Sequence, residues 1–246
     1  MTTPTPLIAG NWKMNGTSAS IGEARAVAAG AGGPARVAIC PPAPLIRLMS
    51  EALKGSSVLV GAQDCHCEAA GAYTGDISAE MLADAGARLV ILGHSERRAG
   101  HGETDDLVAR KVRAALRAGL EPIVCVGETL AQRQAGDAVK IVTGQVRGSL
   151  PGELAGQAYS VAYEPVWAIG AGLTPALAEI EEMHAAIRAT LRDLFGAEGD
   201  APPILYGGSV KPSNAADILR AAEVGGALVG GASLKAVDFL GIVNAV

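Results

Sequence analysis

The chain is poor in aromatic residues, in cysteine and in long apolar runs, and each shortage excludes a class of protein. Of its 246 residues, 3% are aromatic and four are cysteines. Four scattered cysteines do not make the disulfide framework of a small secreted protein, so we expect free thiols in the cytoplasm. No apolar run reaches the roughly 18 residues of a membrane span, and the N-terminus lacks the pattern of a signal peptide. We therefore expect no membrane partner.

An excess of positive charge is also missing. The formal net charge is −5, and hydrophobic residues make up 49% of the chain. Nucleic-acid surfaces need clustered lysine and arginine, so we expect no nucleic-acid partner, and the apolar content excludes general disorder. Cys65, His66 and Cys67 look like part of a metal site, but no second ligand pair follows at a zinc-like spacing. We predict no metal.

Eight short apolar runs recur along the chain, with segments of helical character between them. The runs are apolar throughout instead of alternating, which is typical of parallel strands buried on both faces. Their spacing of roughly 31 residues is the length of a βα repeat. The pattern favours a single (β/α)8 barrel over residues 1–246, with an open doubly wound sheet as the structural alternative. The runs are residues 7–9, 37–39, 58–60, 89–91, 123–126, 159–162, 204–206 and 227–229.

Three helices have clear sequence signals. Residues 104–117 and 176–194 have apolar side chains three and four positions apart, which predicts amphipathic helices. Thr174 and Pro175 predict the start of the second of these helices as a cap followed by a first-turn proline. Residues 211–214 predict the start of a further helix that ends near Glu223.

Chemically useful side chains follow several of the runs, at the barrel face where active residues lie. Glu164 follows the sixth run, before a proline and a glycine-containing loop, which suits proton abstraction next to a carbonyl. His94 follows the fourth run and precedes a predicted helix start, whose positive end favours neutral imidazole. Lys13 follows the first run. Taken singly, each could have a structural role instead, as we expect for His66, His101 and His184.

Glycine pairs follow the last two runs. Gly207 and Gly208 come after the seventh run, and Gly230 and Gly231 come after the eighth. Glycine lets backbone N–H groups approach a ligand closely, and the helices that follow present their positive ends. One pair would be weak evidence, but two in succession match the usual phosphate site of such barrels.

Five segments, in order and with matching spacing, resemble the triosephosphate isomerase family over essentially the whole chain. They are residues 11–15 (NWKMN), 93–98 (GHSERR), 163–170 (YEPVWAIG), 206–210 (YGGSV) and 230–234 (GGASL).

The resemblance implies an enzyme of glycolysis and gluconeogenesis that interconverts dihydroxyacetone phosphate and D-glyceraldehyde 3-phosphate through an enediolate, without a cofactor. It implies Glu164 as the base, His94 as the neutral electrophile and Lys13 as the electrostatic stabiliser. The implied substrate-binding residues are Asn11, Lys13, Gly170, Ser209, Gly230 and Gly231, and the implied supporting residues are Ser95 and Glu96.

The resemblance also implies a lid over the site. At the tip of this lid the family often has Gly-Thr-Gly-Lys, whereas this chain has Gly-Ala-Gly-Leu at residues 170–173. In much of the family, the tyrosine that matches Tyr206 bonds a backbone N–H at the position of Pro175, and proline has no N–H to offer. We therefore expect the lid to rely on other contacts, Ser209 with Gly172 and Trp167 with Glu128. The lid residues are Pro165, Val166, Trp167, Ala168, Ile169, Gly170, Ala171, Gly172, Leu173 and Thr174.

A glycine-rich segment resembles the loop that inserts into the partner subunit of the family's homodimer. It includes Tyr73, Thr74, Gly75 and Asp76, and it implies a two-fold homodimer. Two other functions remain open at this point. One is an isomerase of four-carbon sugar phosphates of the erythrulose phosphate type, and the other is a barrel that binds without catalysis. The presence of Lys13, His94 and Glu164 argues against the second.

Overall fold

Eight parallel strands form a closed barrel in a computed structural model that describes residues 5–169 and 175–246. Each strand pairs with its neighbours in chain order, and β1 closes the barrel against β8, with Leu7 opposite Gly226. The predicted barrel is confirmed, and the open sheet is excluded. The strands are β1 (Leu7–Asn11), β2 (Arg36–Cys40), β3 (Leu59–Ala62), β4 (Leu89–Leu92), β5 (Glu121–Val126), β6 (Ser160–Tyr163), β7 (Ile204–Tyr206) and β8 (Gly226–Val229).

Helices lie between the strands and surround the barrel. None of the helices in the described residues is long and apolar enough to span a membrane. They are α1 (Ile21–Gly30), α2 (Ile46–Ala52), α3 (Ala79–Asp84), α4 (Ser95–His101), α5 (Asp105–Arg117), α6 (Leu130–Gln134), α7 (Ala138–Ser149), α8 (Leu177–Phe195), α9 (Ala215–Leu219) and α10 (Ala236–Val243).

The core has two layers, one inside the barrel and one between the strands and the helices. Leu7 and Ala9 of β1 belong to the inner cluster, whereas Ile8 between them packs in the outer one. The same alternation gives Leu89 and Ile91 to the inner cluster and Val90 to the outer one. Both faces of every strand are therefore covered, which explains why the strand sequences are continuously apolar.

Two predicted helix boundaries were wrong. Ala176 caps α8, and the Glu179 side chain accepts a hydrogen bond from the Ala176 N–H at 2.8 Å, so Pro175 precedes the helix and is not in its first turn. Thr174, the predicted cap, lies outside the described residues. The helix expected from residue 211 to Glu223 is shorter and is α9, residues 215–219. It starts late because the Asn214 side chain accepts a hydrogen bond from the Lys211 N–H at 2.8 Å and donates one to the Ser209 carbonyl at 3.2 Å.

Candidate active site

A cavity of about 290 Å³ opens at the carboxyl ends of the strands. Residues that follow β1, β4, β6, β7 and β8 line it, so side chains far apart in the sequence face one space. Among the described residues that the sequence singled out for substrate binding or catalysis, all line this cavity: Asn11, Lys13, His94, Glu164, Ser209, Gly230 and Gly231. Gly170 lies outside the described residues.

Glu164 is almost completely buried, with 1% of its surface exposed. Its Oε2 accepts a hydrogen bond from the Ser95 N–H at 2.9 Å, and its Oε1 lies 2.8 Å from His94 Nε2. A Cβ on Gly207 would come within 2.9 Å of Glu164 Cγ. The glycine after β7 therefore leaves the space in which this carboxylate side chain sits, a role that is separate from phosphate binding.

His94 caps the N-terminus of α4, which begins at Ser95 as predicted. Its Nδ1 accepts a hydrogen bond from the Glu96 N–H at 3.2 Å. A ring nitrogen that accepts a hydrogen bond carries no proton, so this arrangement belongs to the neutral imidazole with hydrogen on Nε2. The proton on Nε2 points at Glu164, and the backbone of α4 fixes the tautomer.

Lys13 has a backbone conformation that a lysine seldom adopts, with φ of +53° in the left-handed region. Its N–H donates to Asn11 Oδ1 at 2.9 Å, and its carbonyl accepts from Gln63 Nε2 at 2.9 Å. Its Nζ lies 2.5 Å from Glu96 Oε1. Backbone strain of this kind clusters at functional sites, where surrounding contacts hold it. The two side-chain amides supply those contacts and hold the Lys13 backbone at the wall of the cavity.

The turns after β7 and β8 also line the cavity. A Cβ on Gly231 would meet no described atom within 4 Å, and one on Gly230 would meet only Lys13 Cε, at 3.6 Å. The backbone of this glycine pair is therefore open to the cavity and adjacent to the lysine. Ser233 braces the turn, because its hydroxyl donates to the Gly230 carbonyl at 2.7 Å and its own carbonyl accepts from Trp12 Nε1 at 3.0 Å.

The described part of the predicted lid, residues 165–169, is held at its base. Trp167 Nε1 donates to Glu128 Oε1 at 2.9 Å, so the Trp167–Glu128 contact expected from the sequence is present. The Ser209 hydroxyl donates to the Ala168 carbonyl at 3.0 Å. Its expected partner Gly172 lies outside the described residues, as do Gly170, Ala171, Leu173 and Thr174. The buried Tyr206 hydroxyl has no hydrogen-bond partner among the described residues.

Tyr73, Thr74, Gly75 and Asp76 lie on the surface, with the Tyr73 ring packed against His66 at a centroid distance of 4.1 Å. A second cavity, of about 300 Å³, lies beside the active-site cavity. Lys13, Met14, Gln63, Glu96 and His101 are among its lining residues, and Met14 is 95% exposed.

The third histidine that was predicted to be structural is buried away from the cavity. His184 packs edge-on against Tyr163, and its Nδ1 lies 3.2 Å from the Glu223 carbonyl. Burial lowers the pKa of His184 to about 4. Within the described residues, no group of three or more histidine, cysteine or acidic side chains could hold a metal ion.

Two contributors to the site were missed in the sequence. Gln63 braces the Lys13 carbonyl, and Arg133 packs beside Glu128 and Trp167. Gln63 follows β3, so the rule that active residues follow strands could have found it. Arg133 lies within α6, and its position relative to the lid depends on how helices pack, which no local pattern reveals.

Comparison with known proteins places this geometry in context. The sequence model of the triosephosphate isomerase family matches residues 6–246. The triosephosphate isomerase of Caulobacter vibrioides is 64% identical, over 99% of this chain and 98% of that protein. That of Afipia carboxidovorans is 60% identical, over 98% of this chain and 97% of that protein. The crystal structure of triosephosphate isomerase from Bartonella henselae superposes with a TM-score of 0.93 at 49% identity, covering 98% of each chain.

Proposed function

The chain belongs to the triosephosphate isomerase family, and from that premise we propose that Glu164, His94 and Lys13 perform its catalysis. The enzyme interconverts dihydroxyacetone phosphate and D-glyceraldehyde 3-phosphate, a reaction of glycolysis. The residue roles are those of the family, carried over through the resemblance. The observation that supports them most directly is the contact between the Glu164 carboxylate and His94 Nε2 at the cavity wall.

Glu164 is the proposed base. It removes a proton from the substrate carbon next to the carbonyl and returns it to the neighbouring carbon. The carboxylate is buried and directed by two donors, Ser95 N–H and His94 Nε2. When a substrate oxygen accepts the hydrogen bond from His94 Nε2, the Glu164 carboxylate is released from that donor and its Oε1 is free to accept the substrate proton.

His94 is the proposed electrophile, and Lys13 is the proposed electrostatic stabiliser. Negative charge develops on the substrate oxygen as the proton leaves, and fixed donors aimed at that oxygen stabilise the enediolate. The neutral imidazole donates through Nε2, and the ammonium group of Lys13 adds a positive charge, with Asn11 adding an amide. No metal or organic cofactor takes part in this proposal.

Backbone N–H groups are the proposed phosphate ligands. The open glycine turn at Gly230 and Gly231 and the turn that contains Ser209 face the same cavity. N–H groups at the starts of short helical turns favour anions. Gly170 completes the proposed set by resemblance alone.

A homodimer of cytoplasmic subunits belongs to the same proposal, with residues 1–246 as one domain. The exposed segment Tyr73–Asp76 has the composition of an inserting loop, and the second cavity beside Lys13 offers a place for it. All four cysteines are unpaired, as thiols are kept in the cytoplasm. Sedimentation of the protein with Thr74→Arg tests the dimer. A lighter particle with reduced turnover is expected, whereas a fully active monomer of the unaltered protein would exclude it.

Turnover of D-glyceraldehyde 3-phosphate, measured beside D- and L-erythrulose phosphates, tests the substrate, and Glu164→Asp tests the base. We expect rapid turnover of the three-carbon sugar and a large loss in the variant, because the shorter side chain withdraws the carboxylate from the carbon. Preference for a four-carbon sugar would keep the mechanism and change the substrate. Unaltered turnover in Glu164→Asp would refute the assignment of the base.

A further inference from the structure

Arg133 contacts the chain on both sides of residues 170–174. One guanidinium nitrogen lies 3.1 Å from Glu128 Oε1, and the other terminal nitrogen lies 2.6 Å from Glu179 Oε1. The guanidinium carbon also lies 5.1 Å from the centroid of the Trp167 ring. One side chain of α6 therefore joins the strand end after β5, the segment after Glu164 and the beginning of α8.

On the first side, Arg133 compensates a buried acid that holds the lid base. Glu128 is completely buried, and its Oε1 accepts hydrogen bonds from Trp167 Nε1 at 2.9 Å and the Tyr163 hydroxyl at 3.1 Å. A buried carboxylate is costly unless it is paired, and Arg133 is its ion-pair partner among the described residues. The guanidinium also stacks on the indole that Glu128 holds, so it fixes Trp167 in two ways.

On the second side, Arg133 orients the acid that caps α8. Glu179 Oε1 accepts a hydrogen bond from Arg133 at 2.6 Å, and its Oε2 accepts one from the Ala176 N–H at 2.8 Å. The hydrogen bond from Arg133 is the main reason that the pKa of Glu179 is lowered. Ala176 directly follows Pro175, where the described chain resumes. The arginine thus sets the direction in which the chain enters α8.

Among the described residues, Pro175 and Tyr206 do not join this end of the loop by a hydrogen bond. Pro175 has no N–H to donate, and the buried Tyr206 hydroxyl is unpartnered there. Arg133 is then the described residue that links the two ends through direct side-chain contacts.

We propose that Arg133 is a positioning residue for the isomerase reaction: its guanidinium ties the chain that follows Glu164 to the chain that enters α8. This inference rests on the proposed function of Glu164. The planar fork of arginine can serve two carboxylates while its face covers an aromatic ring, and the single ammonium group of lysine cannot do all three. Charge alone is therefore not sufficient at this position.

Four variants test the proposal: Arg133→Met, Arg133→Lys, Glu179→Gln and the double variant Arg133→Met/Glu179→Gln. Steady-state kinetics with glyceraldehyde 3-phosphate give kcat and KM separately. The fraction of turnovers that release inorganic phosphate reports how often the enediolate eliminates its phosphate to form methylglyoxal, which a poorly positioned loop would permit. Arg147→Met is the matched control, because it breaks an exposed ion pair with Asp193, at 2.8 Å. This pair joins α7 to α8, just as Arg133 joins α6 to α8.

Arg133→Met is expected to lower kcat about tenfold, equivalent to roughly 1.4 kcal/mol in the barrier. KM should change less, and the fraction of phosphate released should rise. Arg133→Lys should resemble Arg133→Met more than the unaltered enzyme. The double variant should be no worse than the poorer single variant, since both changes break one connection. Arg147→Met should leave all three quantities unchanged.

Two results would overturn the inference: kcat and phosphate release within twofold of normal in Arg133→Met, or additive losses in the double variant. Should Arg133→Met fail to fold, Arg133→Lys combined with Glu179→Gln gives the same test of additivity. Glu164→Asp distinguishes a failure of the role proposed for Arg133 from a failure of the role proposed for Glu164. If that variant loses activity while the Arg133 variants do not, only the role of Arg133 is refuted, whereas full activity in Glu164→Asp refutes the role proposed for Glu164, on which the inference rests.

Discussion

The imidazole of His94 and the carboxylate of Glu164 are in direct contact, with Nε2 2.8 Å from Oε1. The two groups reach the cavity from β4 and β6, which are not adjacent strands. Their contact is possible because both strands flank β5, and two hydrogen bonds, from Glu96 N–H to His94 and from Ser95 N–H to Glu164, orient the side chains. The proposed proton donor and the proposed base are thereby brought within reach of neighbouring atoms of one substrate.

Replacement of His94 by glutamine should lower kcat by roughly 100- to 1,000-fold, the usual loss when one oxyanion donor is removed. KM should change little, because the imidazole acts mainly on charge that develops in the transition state. His101→Gln, at the other end of α4, is the matched control and should retain most of the turnover. Near-normal kcat in His94→Gln would exclude His94 as the electrophile.

Replacement of Lys13 by methionine, which keeps most of the length of the side chain and removes its charge, should reduce kcat/KM by at least roughly 100-fold. Unlike the His94 variant, it should also raise KM, because Gly230 lies against Lys13 and the phosphate would lose a neighbouring charge. Glu96→Gln breaks the ion pair at 2.5 Å but keeps the ammonium group, so its loss should be smaller. An equal loss in both variants would assign the effect to the pair and not to Lys13.

Replacement of Tyr206 by phenylalanine should leave kcat/KM within about twofold of normal. The hydroxyl is buried without a hydrogen-bond partner among the described residues, and its removal should leave the free energy of unfolding unchanged or raise it by up to about 1 kcal/mol. Kinetics and urea unfolding give both values. A drop of several hundredfold in kcat would show that Tyr206 holds the lid by a contact with residues 170–174.

The stability of the protein should fall with acid partly because of His184. Its pKa is about 4 in the folded protein because it is buried, compared with about 6.5 in an unfolded chain. The unfolded state therefore binds the proton first. The stabilisation is fully present above pH 6.5 and is lost as the pH falls towards 4.

His184→Gln removes this titration. Urea unfolding at pH 7 and pH 5 should show a smaller loss of stability in the variant, by on the order of 1–2 kcal/mol. The carboxylates titrate in both proteins, so their contribution to the pH dependence cancels in the comparison. Parallel pH profiles for the two proteins would contradict the assignment.

The sequence predicts the barrel because its signals are local. Each strand is buried on both faces and contains an apolar run, and each catalytic candidate lies one or two residues after a strand, as Glu164 does after β6. The predicted start of α8 was wrong because two local signals compete. Thr174 and Pro175 resemble a cap and a first-turn proline, but the reciprocal bonds of Ala176 and Glu179 set the boundary.

The contacts that support the site are not local, and this is why they were missed. Arg133 and Glu179 are 46 positions apart, and Gln63 reaches the Lys13 carbonyl from 50 positions away. Such contacts form only when helices and strands have packed, so the periodicity and spacing of the sequence do not predict them.

Folding and catalysis place opposite demands on residue 13. The left-handed backbone at Lys13 costs on the order of 1 kcal/mol for any side chain with a Cβ and almost nothing for glycine. An inactive chain with glycine there would escape this strain, although it would also lose the ion pair with Glu96. At this position, selection for rapid turnover therefore opposes selection for a stable fold, and relaxed selection on activity would allow glycine there.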